Sequence, residues 1–160
     1  MTHRMAIALA SLANALVAAY LHLWKLGYVG TLACSAGRAC ELVQGSRYGW
    51  FLGVDVALIG AVGWALVFLL AVAGTAPALE DDPRVTRLLS AMIGGALLFT
   101  ARLKYGEFVV LQSFCPWCAV NAATVLVTGV LVVLDARRLD RQRAAARDPA
   151  EPATPAGVRA

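Results

Sequence analysis

Four cysteines in two close pairs are the residues of this chain best suited to chemistry. Cys34 and Cys40 enclose Ser35–Ala36–Gly37–Arg38–Ala39, and Cys115 and Cys118 enclose Pro116–Trp117. An even number of paired cysteines suits dithiol–disulfide exchange, static bridges or metal ligation. The second pair opens a long apolar stretch, so Cys115 reads as a helix N-cap with Pro116 at the first helical position, where a missing N–H leaves nothing unpaired. Free amides and the helix dipole at that end favour a thiolate, and a two-residue spacer lets the sulfurs bridge. That combination points to dithiol exchange. A zinc site built from all four cysteines fits less well, because its spacers usually hold two to four residues and the first pair has five; no metal is expected. The first pair sits in a loop of small residues whose one cation, Arg38, is placed to favour a nearby thiolate. Taken alone it reads equally as a static bridge. Taken with the second pair it supplies what an electron relay needs: one dithiol on a mobile loop to meet a partner, and one on a rigid helix beside an acceptor.

The elements that hold these sulfurs must lie in a membrane. Of 160 residues, 60% are hydrophobic and 15% charged, with a mean hydropathy of +0.70, too apolar for a water-soluble domain in which about a quarter of residues carry charge. Four apolar segments, about 5–24, 51–73, 86–103 and 115–135, are each near the length that crosses hydrocarbon, and in lipid each must be helical to satisfy its own backbone. The third is the least regular. Its apolar run from Leu88 to Ala101 is followed by Arg102, Lys104 and Glu107 before Phe108–Val109–Val110–Leu111 resumes, so it is expected to tilt or to extend past the interface. Residues 5–24 read as a retained helix rather than a cleaved signal peptide, since the segment is long, carries Asn14 and His22, and has no evident small-x-small cleavage site. The loop at about 74–85, with Gly74, Pro77, Glu80, Asp81, Asp82 and Pro83, reads as a turn. The predicted fold is an all-α four-helix membrane domain over residues 1–140, followed by a disordered polar tail over 141–160.

Charge gives that domain an orientation. Arg4, Arg84, Arg87, Arg137, Arg138, Arg141, Arg143, Arg147 and Arg159 fall on one side of a four-span plan, against Lys25, Arg38, Arg47, Arg102 and Lys104 on the other. The positive-inside rule then puts both termini in the cytoplasm and every cysteine on the outer side of the plasma membrane, where disulfides persist. The net charge of +4 reads as a membrane anchor, and no nucleic-acid partner is expected.

Further motifs narrow the reading. The order of the pairs is C-x5-C in the first outer loop and C-x-x-C at the start of helix four. Ser46 follows Cys40 by six residues, and Tyr105–Gly106–Glu107–Phe108–Val109–Val110–Leu111 leads into Phe114–Cys115–Pro116–Trp117–Cys118. Over about residues 5–135 the chain thus resembles the bacterial homologues of vitamin K epoxide reductase, four-helix membrane proteins that pass electrons from thiols to a quinone. The resemblance implies a bundle that cups ubiquinone or menaquinone near the outer surface, capped by the first loop and a short half-helix after helix one. It also implies roles. Cys118 would be the thiol next to the quinone, Cys115 its partner and the target of Cys40, and Cys34 the residue that meets the reduced substrate protein. Ser46 matches a family serine linked to the loop and the quinone pocket; its other reading is a helix-capping serine. The implied substrate protein is a separate DsbA-like thioredoxin-fold protein, which must be reoxidised after each use.

The chain departs from the family at Ala122, where animal members place a tyrosine four residues beyond the motif, so epoxide reduction in a clotting-type cycle is not expected. A naphthoquinone or epoxide reductase proper nevertheless stays an alternative. DsbB-type oxidases share four helices and two cysteine pairs but carry C-x-x-C in the first outer loop, opposite to the order here. From another class, a structural membrane protein with inert bridges or a zinc site also remains open. Besides Cys118 and Ser46, the candidates for the quinone pocket are Trp50, Phe51, Asp55 and Phe114. Asp55 invites a role in protonating reduced quinone, because intramembrane acids tend to be functional, or else pairs with Arg47 at the interface. Trp50 suits an aromatic belt at the outer interface with Trp24, Tyr28 and Tyr48, and an interfacial anchor is the preferred reading of Trp50 and Phe51 over a quinone-lining one. Arg102, Lys104 and Glu107 read as the end of helix three and its salt links, His22 as an interface residue, and Gly60, Gly63, Gly94 and Gly95 as packing glycines.

Overall fold

The computed structural model describes residues 2–35 and 37–147. Four long helices dominate it: α1 Thr2–Lys25, α3 Val56–Ala73, α4 Pro83–Tyr105 and α5 Pro116–Arg147, with a half-helix, α2 Ala39–Gly45, in the first connection. All four are long and apolar enough to cross a membrane. Leu9, Leu16, Leu69, Leu98, Leu126 and Val130 are exposed around the outside, as expected of a bundle whose outer solvent is lipid. Ile7, Trp64, Val67, Leu89, Ile93, Val125 and Val132 fill the interior.

Caps fix the helix ends. Asp55 accepts the Ala57 N–H at 3.0 Å to start α3, and Asp82 accepts the Arg84 N–H at 2.8 Å to start α4, with Pro83 at its first position. The span expected from residue 51 begins at Val56 instead. Trp50–Phe51 pairs antiparallel with Val54–Asp55 in a small hairpin, turned by Leu52 and Gly53, both at positive φ; two such residues make the tight turn that matches strand twist. The apolar residues Trp50, Phe51, Leu52 and Val54, running on toward the helix, hid that hairpin from a hydropathy reading. The third span does extend, running as α4 to Tyr105 and then as a π-helical turn over Gly106–Val110. The fourth starts at Pro116 and stays helical to Arg147, past residue 141 where the tail reading began; residues 148–160 lie outside the described residues.

At the end of the bundle away from the cysteines, Arg4 is buried. Its guanidinium donates to Asp135 at 3.1 Å, Thr86 at 3.0 Å, Gly74 O at 2.6 Å and Leu79 O at 2.9 Å, and Thr86 donates to the same Asp135 oxygen at 2.8 Å. One side chain thereby ties α1, the α3–α4 turn, α4 and α5 together. Burying a charge is tolerable when it is paired and hydrogen-bonded in this way.

Candidate redox site

The other end of the bundle gathers the sulfurs. Cys34 and Cys40 form a disulfide with their Cα atoms 6.1 Å apart, while Cys115 and Cys118 are free thiols, the first buried and the second half-buried. Cys40 and Cys115 are packed in one cluster with Leu21, Leu32, Val43 and Ala57. The two pairs therefore meet across a shared apolar core.

Cys115 occupies the N-cap of α5. Its carbonyl accepts the Ala119 N–H at 3.0 Å, and its sulfur accepts the Cys118 N–H at 3.4 Å, one of the amides that helix geometry leaves free. A hydrogen bond from the Cys118 thiol lowers the Cys115 pKa to about 7 against the opposing effect of burial; backbone amides of Cys118 and Trp117 assist, and the Glu107 carboxylate opposes. Thiolate is thus available near neutral pH. Glu107 is itself fully buried. It accepts the Cys115 N–H at 2.6 Å and an ammonium hydrogen bond from Lys104 at 2.7 Å, so the turn after α4 is clamped onto the start of α5.

The loop pair is held by aromatic residues. Trp117 Nε1 donates to Ala33 O at 2.6 Å, the Ala33 N–H donates to the Tyr20 hydroxyl at 3.1 Å, and the two rings lie 5.7 Å apart. The residue before Cys34 is in this way docked on the C-x-x-C motif itself. From α2, Gln44 Nε2 reaches Cys118 Sγ at 3.7 Å.

Cys118 also forms part of the wall of a cavity of about 310 Å³ between α1, α3, α4 and α5. Its walls are apolar, with Leu21, Trp64, Phe99 and Leu103 among them, and a few polar groups converge there: Asn14, Gln44, Thr100, Lys104 and Asn121. Asn121 Oδ1 accepts from Asn14 Nδ2 at 2.7 Å and from Trp64 Nε1 at 3.0 Å. Asn14 Oδ1 is buried with no hydrogen-bond partner among the described residues. An apolar cavity with sparse, placed polar groups and one orphaned acceptor suits an apolar ligand that carries a hydrogen-bond donor.

The pocket residues expected from sequence fall elsewhere, Cys118 excepted. Ser46, Trp50, Phe51, Asp55 and Phe114 are absent from the cavity wall. Ser46 donates to Val43 O at 2.8 Å and accepts the Tyr48 N–H at 3.2 Å, capping the short 3-10 turn Arg47–Gly49. Trp50 lines a separate, open groove with Trp24, Lys25 and Gln44. Phe51 stands edge-on to Phe99, one layer behind the wall, and Phe114 lies beside Phe108 under the Lys104 ammonium. Asp55 pairs with Lys25 and with His22 Nδ1, the latter at 2.6 Å, rather than with Arg47, which sits over the Tyr48 ring. Burial alone raises the Asp55 pKa, but hydrogen bonds from Lys25, His22 and the Ala57 N–H outweigh it and hold the carboxyl below its usual value.

Conversely, Tyr20, Gln44, Trp64 and Asn121 carry no motif and were not expected at the site. Asn121 had one available signal, its position three residues after Cys118 on the same helix face. The chain matches the family model described as vitamin K epoxide reductase family over residues 5–133.

Proposed function

The chain belongs to the vitamin K epoxide reductase family, as a multi-pass membrane redox enzyme with a disulfide and a neighbouring dithiol, and on that premise we propose that it is a thiol:quinone oxidoreductase. In this reading it reoxidises a separate DsbA-like thioredoxin-fold protein and delivers the electrons to ubiquinone or menaquinone. Its cysteine end faces out of the cell, and the outcome is disulfide formation outside the cytoplasm.

One observation carries the proposal: one cysteine, Cys118, borders the apolar cavity while its neighbour Cys115 packs in the cluster of Cys40. The relay follows from thiol–disulfide exchange. A partner thiolate attacks Cys34 and releases Cys40 as thiolate. Cys40 attacks Cys115 of an oxidised Cys115–Cys118 pair and releases Cys118. The partner's second thiol then resolves the mixed disulfide at Cys34, and Cys34 closes on Cys40 and frees Cys115. The described state, with Cys34 joined to Cys40 and both inner thiols free, corresponds to the point at which two electrons have reached the inner pair. Quinone accepts those two electrons and two protons as the inner disulfide re-forms. The orphaned Asn14 Oδ1 is an acceptor and fits a hydroxyl of the reduced head group, and the Asn121 side chain lines the same wall.

The test is anaerobic quinone reduction by purified protein supplied with a reduced DsbA-type partner. The native chain is expected to turn over ubiquinone or menaquinone. Cys118→Ser, with its helices intact by far-ultraviolet circular dichroism, is expected to lose turnover. Absence of turnover by the native chain with both quinone types would sink the reading.

A further inference from the structure

Gln44 stands where a leaving thiolate needs help. It is buried, at 7% exposure, lies on α2 one turn after Cys40, and aims its amide nitrogen at Cys118 Sγ from 3.7 Å. Residues four apart share a helix face, so one short helix presents both the Cys40 sulfur and an N–H donor to the same core. Of the neighbouring donors, the backbone N–H of Cys118 serves Cys115 and the Lys104 ammonium pairs with Glu107, whereas the Gln44 amide is the one that reaches the Cys118 sulfur.

We propose that Gln44 is a catalytic residue of the exchange between the two cysteine pairs, donating its side-chain N–H to the Cys118 sulfur as that sulfur leaves as thiolate. The inference rests on the relay proposed above and adds a role to it. In the step concerned, the Cys40 thiolate attacks Cys115, the Cys40–Cys115 bond forms as the Cys115–Cys118 bond breaks, and the electron pair of the broken bond stays on Cys118. Charge therefore moves from Cys40 to a sulfur at an apolar cavity wall, where water is scarce. Exchange is faster when the leaving sulfur is stabilised, and a donor already aimed at developing charge in a low-dielectric site costs no reorganisation. The same helix delivers nucleophile and donor, which couples arrival of Cys40 to acceptance of charge by Cys118.

The experiment uses full-length chain carrying Cys34→Ala, so that the Cys40–Cys115 species cannot be resolved by Cys34. The protein is reduced, its inner pair is oxidised with quinone, quinone is removed, and samples are alkylated over time and read by peptide mass spectrometry for Cys40–Cys115 with Cys118 free. Gln44→Met keeps the length of the side chain and removes the donor; it is expected to slow formation of the linked species by about tenfold, less than loss of an oxyanion donor because sulfur is a weak acceptor. Gln44→Lys returns an N–H donor on a stem of similar reach and is expected to restore the rate, which packing alone would not do. Formation at the native rate in Gln44→Met, or equal slowing in Gln44→Met and Gln44→Lys, overturns the assignment of Gln44 while leaving the relay standing. Failure of the Cys34→Ala chain with native Gln44 to form any Cys40–Cys115 species overturns the relay order, and the role of Gln44 with it.

Discussion

At the scale of single residues, the chemistry rests on how one thiol is ionised. Cys115 titrates at about 7 because the Cys118 thiol donates to it, in spite of burial and of the Glu107 charge. Its thiolate fraction rises with pH through that point, so alkylation of Cys115 in the presence of the intact Cys34–Cys40 disulfide should rise to a plateau with a midpoint near pH 7. Cys118→Ala removes the main stabilising donor and should move the midpoint upward. Glu107→Gln removes an opposing charge and should move it downward. Peptide-resolved alkylation across pH checks all three, and a midpoint near 9.0, the ordinary value, in the native chain would contradict the geometry. Much of this was legible beforehand: a C-x-x-C with proline at the first helical position says N-cap and lowered pKa without any coordinates. Glu107 was near enough in sequence to suspect, but its cap on the Cys115 amide depends on a π-helical turn that no residue pattern announces.

At the scale of elements, two joints hold the site in place. The turn after α4 packs Gly106 against the Tyr48 ring so closely that an added Cβ would lie 2.4 Å from a ring carbon. Gly106→Ala should therefore destabilise the protein by about 1–3 kcal/mol, the usual cost of overpacking, seen as a lower thermal midpoint in detergent with the disulfide retained. The other joint is the contact of Lys25 and His22 with Asp55, which fastens the end of α1 to the start of α3. The Asp55 pKa is lowered on folding, so its contribution to stability is complete above the unfolded value near 3.8 and fades as pH falls through the folded value. Asp55→Asn should flatten the acid limb of a stability–pH curve below about pH 4. An unchanged acid limb would show that the contact contributes nothing. This contact also explains why Asp55 reads two ways in sequence: an acid at the membrane boundary invites a proton role, whereas here its oxygens are spent on a cap, a lysine and a histidine.

At the scale of the whole molecule, the bundle is pinned at opposite ends by different means. The sulfur end is joined by a disulfide, a carboxylate cap and aromatic contacts, and the far end by the buried Arg4 with Asp135 and Thr86. Arg4→Met leaves Asp135 buried without its partner and should cost about 3–5 kcal/mol, read by chemical denaturation in detergent. Arg4→Met combined with Asp135→Leu should be less destabilising than Arg4→Met alone, because no uncompensated charge remains; an additive or greater loss would contradict that account. Between these pins lies the cavity, with its polar groups drawn from α1, α2, α4 and α5. A site assembled from several helices is what a bundle affords a small ligand.

The sequence by itself determined that this is a four-span membrane protein with two cysteine pairs, because hydropathy over a span's length and the spacing of cysteines are local properties that survive without tertiary context. It also implied the half-helix that carries Cys40, through the resemblance of its motifs to a known family. Tertiary structure alone decided which polar side chains converge. Asn14 and Asn121 are 107 residues apart, and Gln44 and Cys118 are 74 apart. Such pairs are set by helix rotation and crossing within the packed bundle, and neither periodicity nor composition records them. The hairpin at residues 50–55 was hidden for a related reason: apart from Asp55 its strands are apolar like the helix they precede, and the paired backbone and the two positive φ angles are what mark the turn.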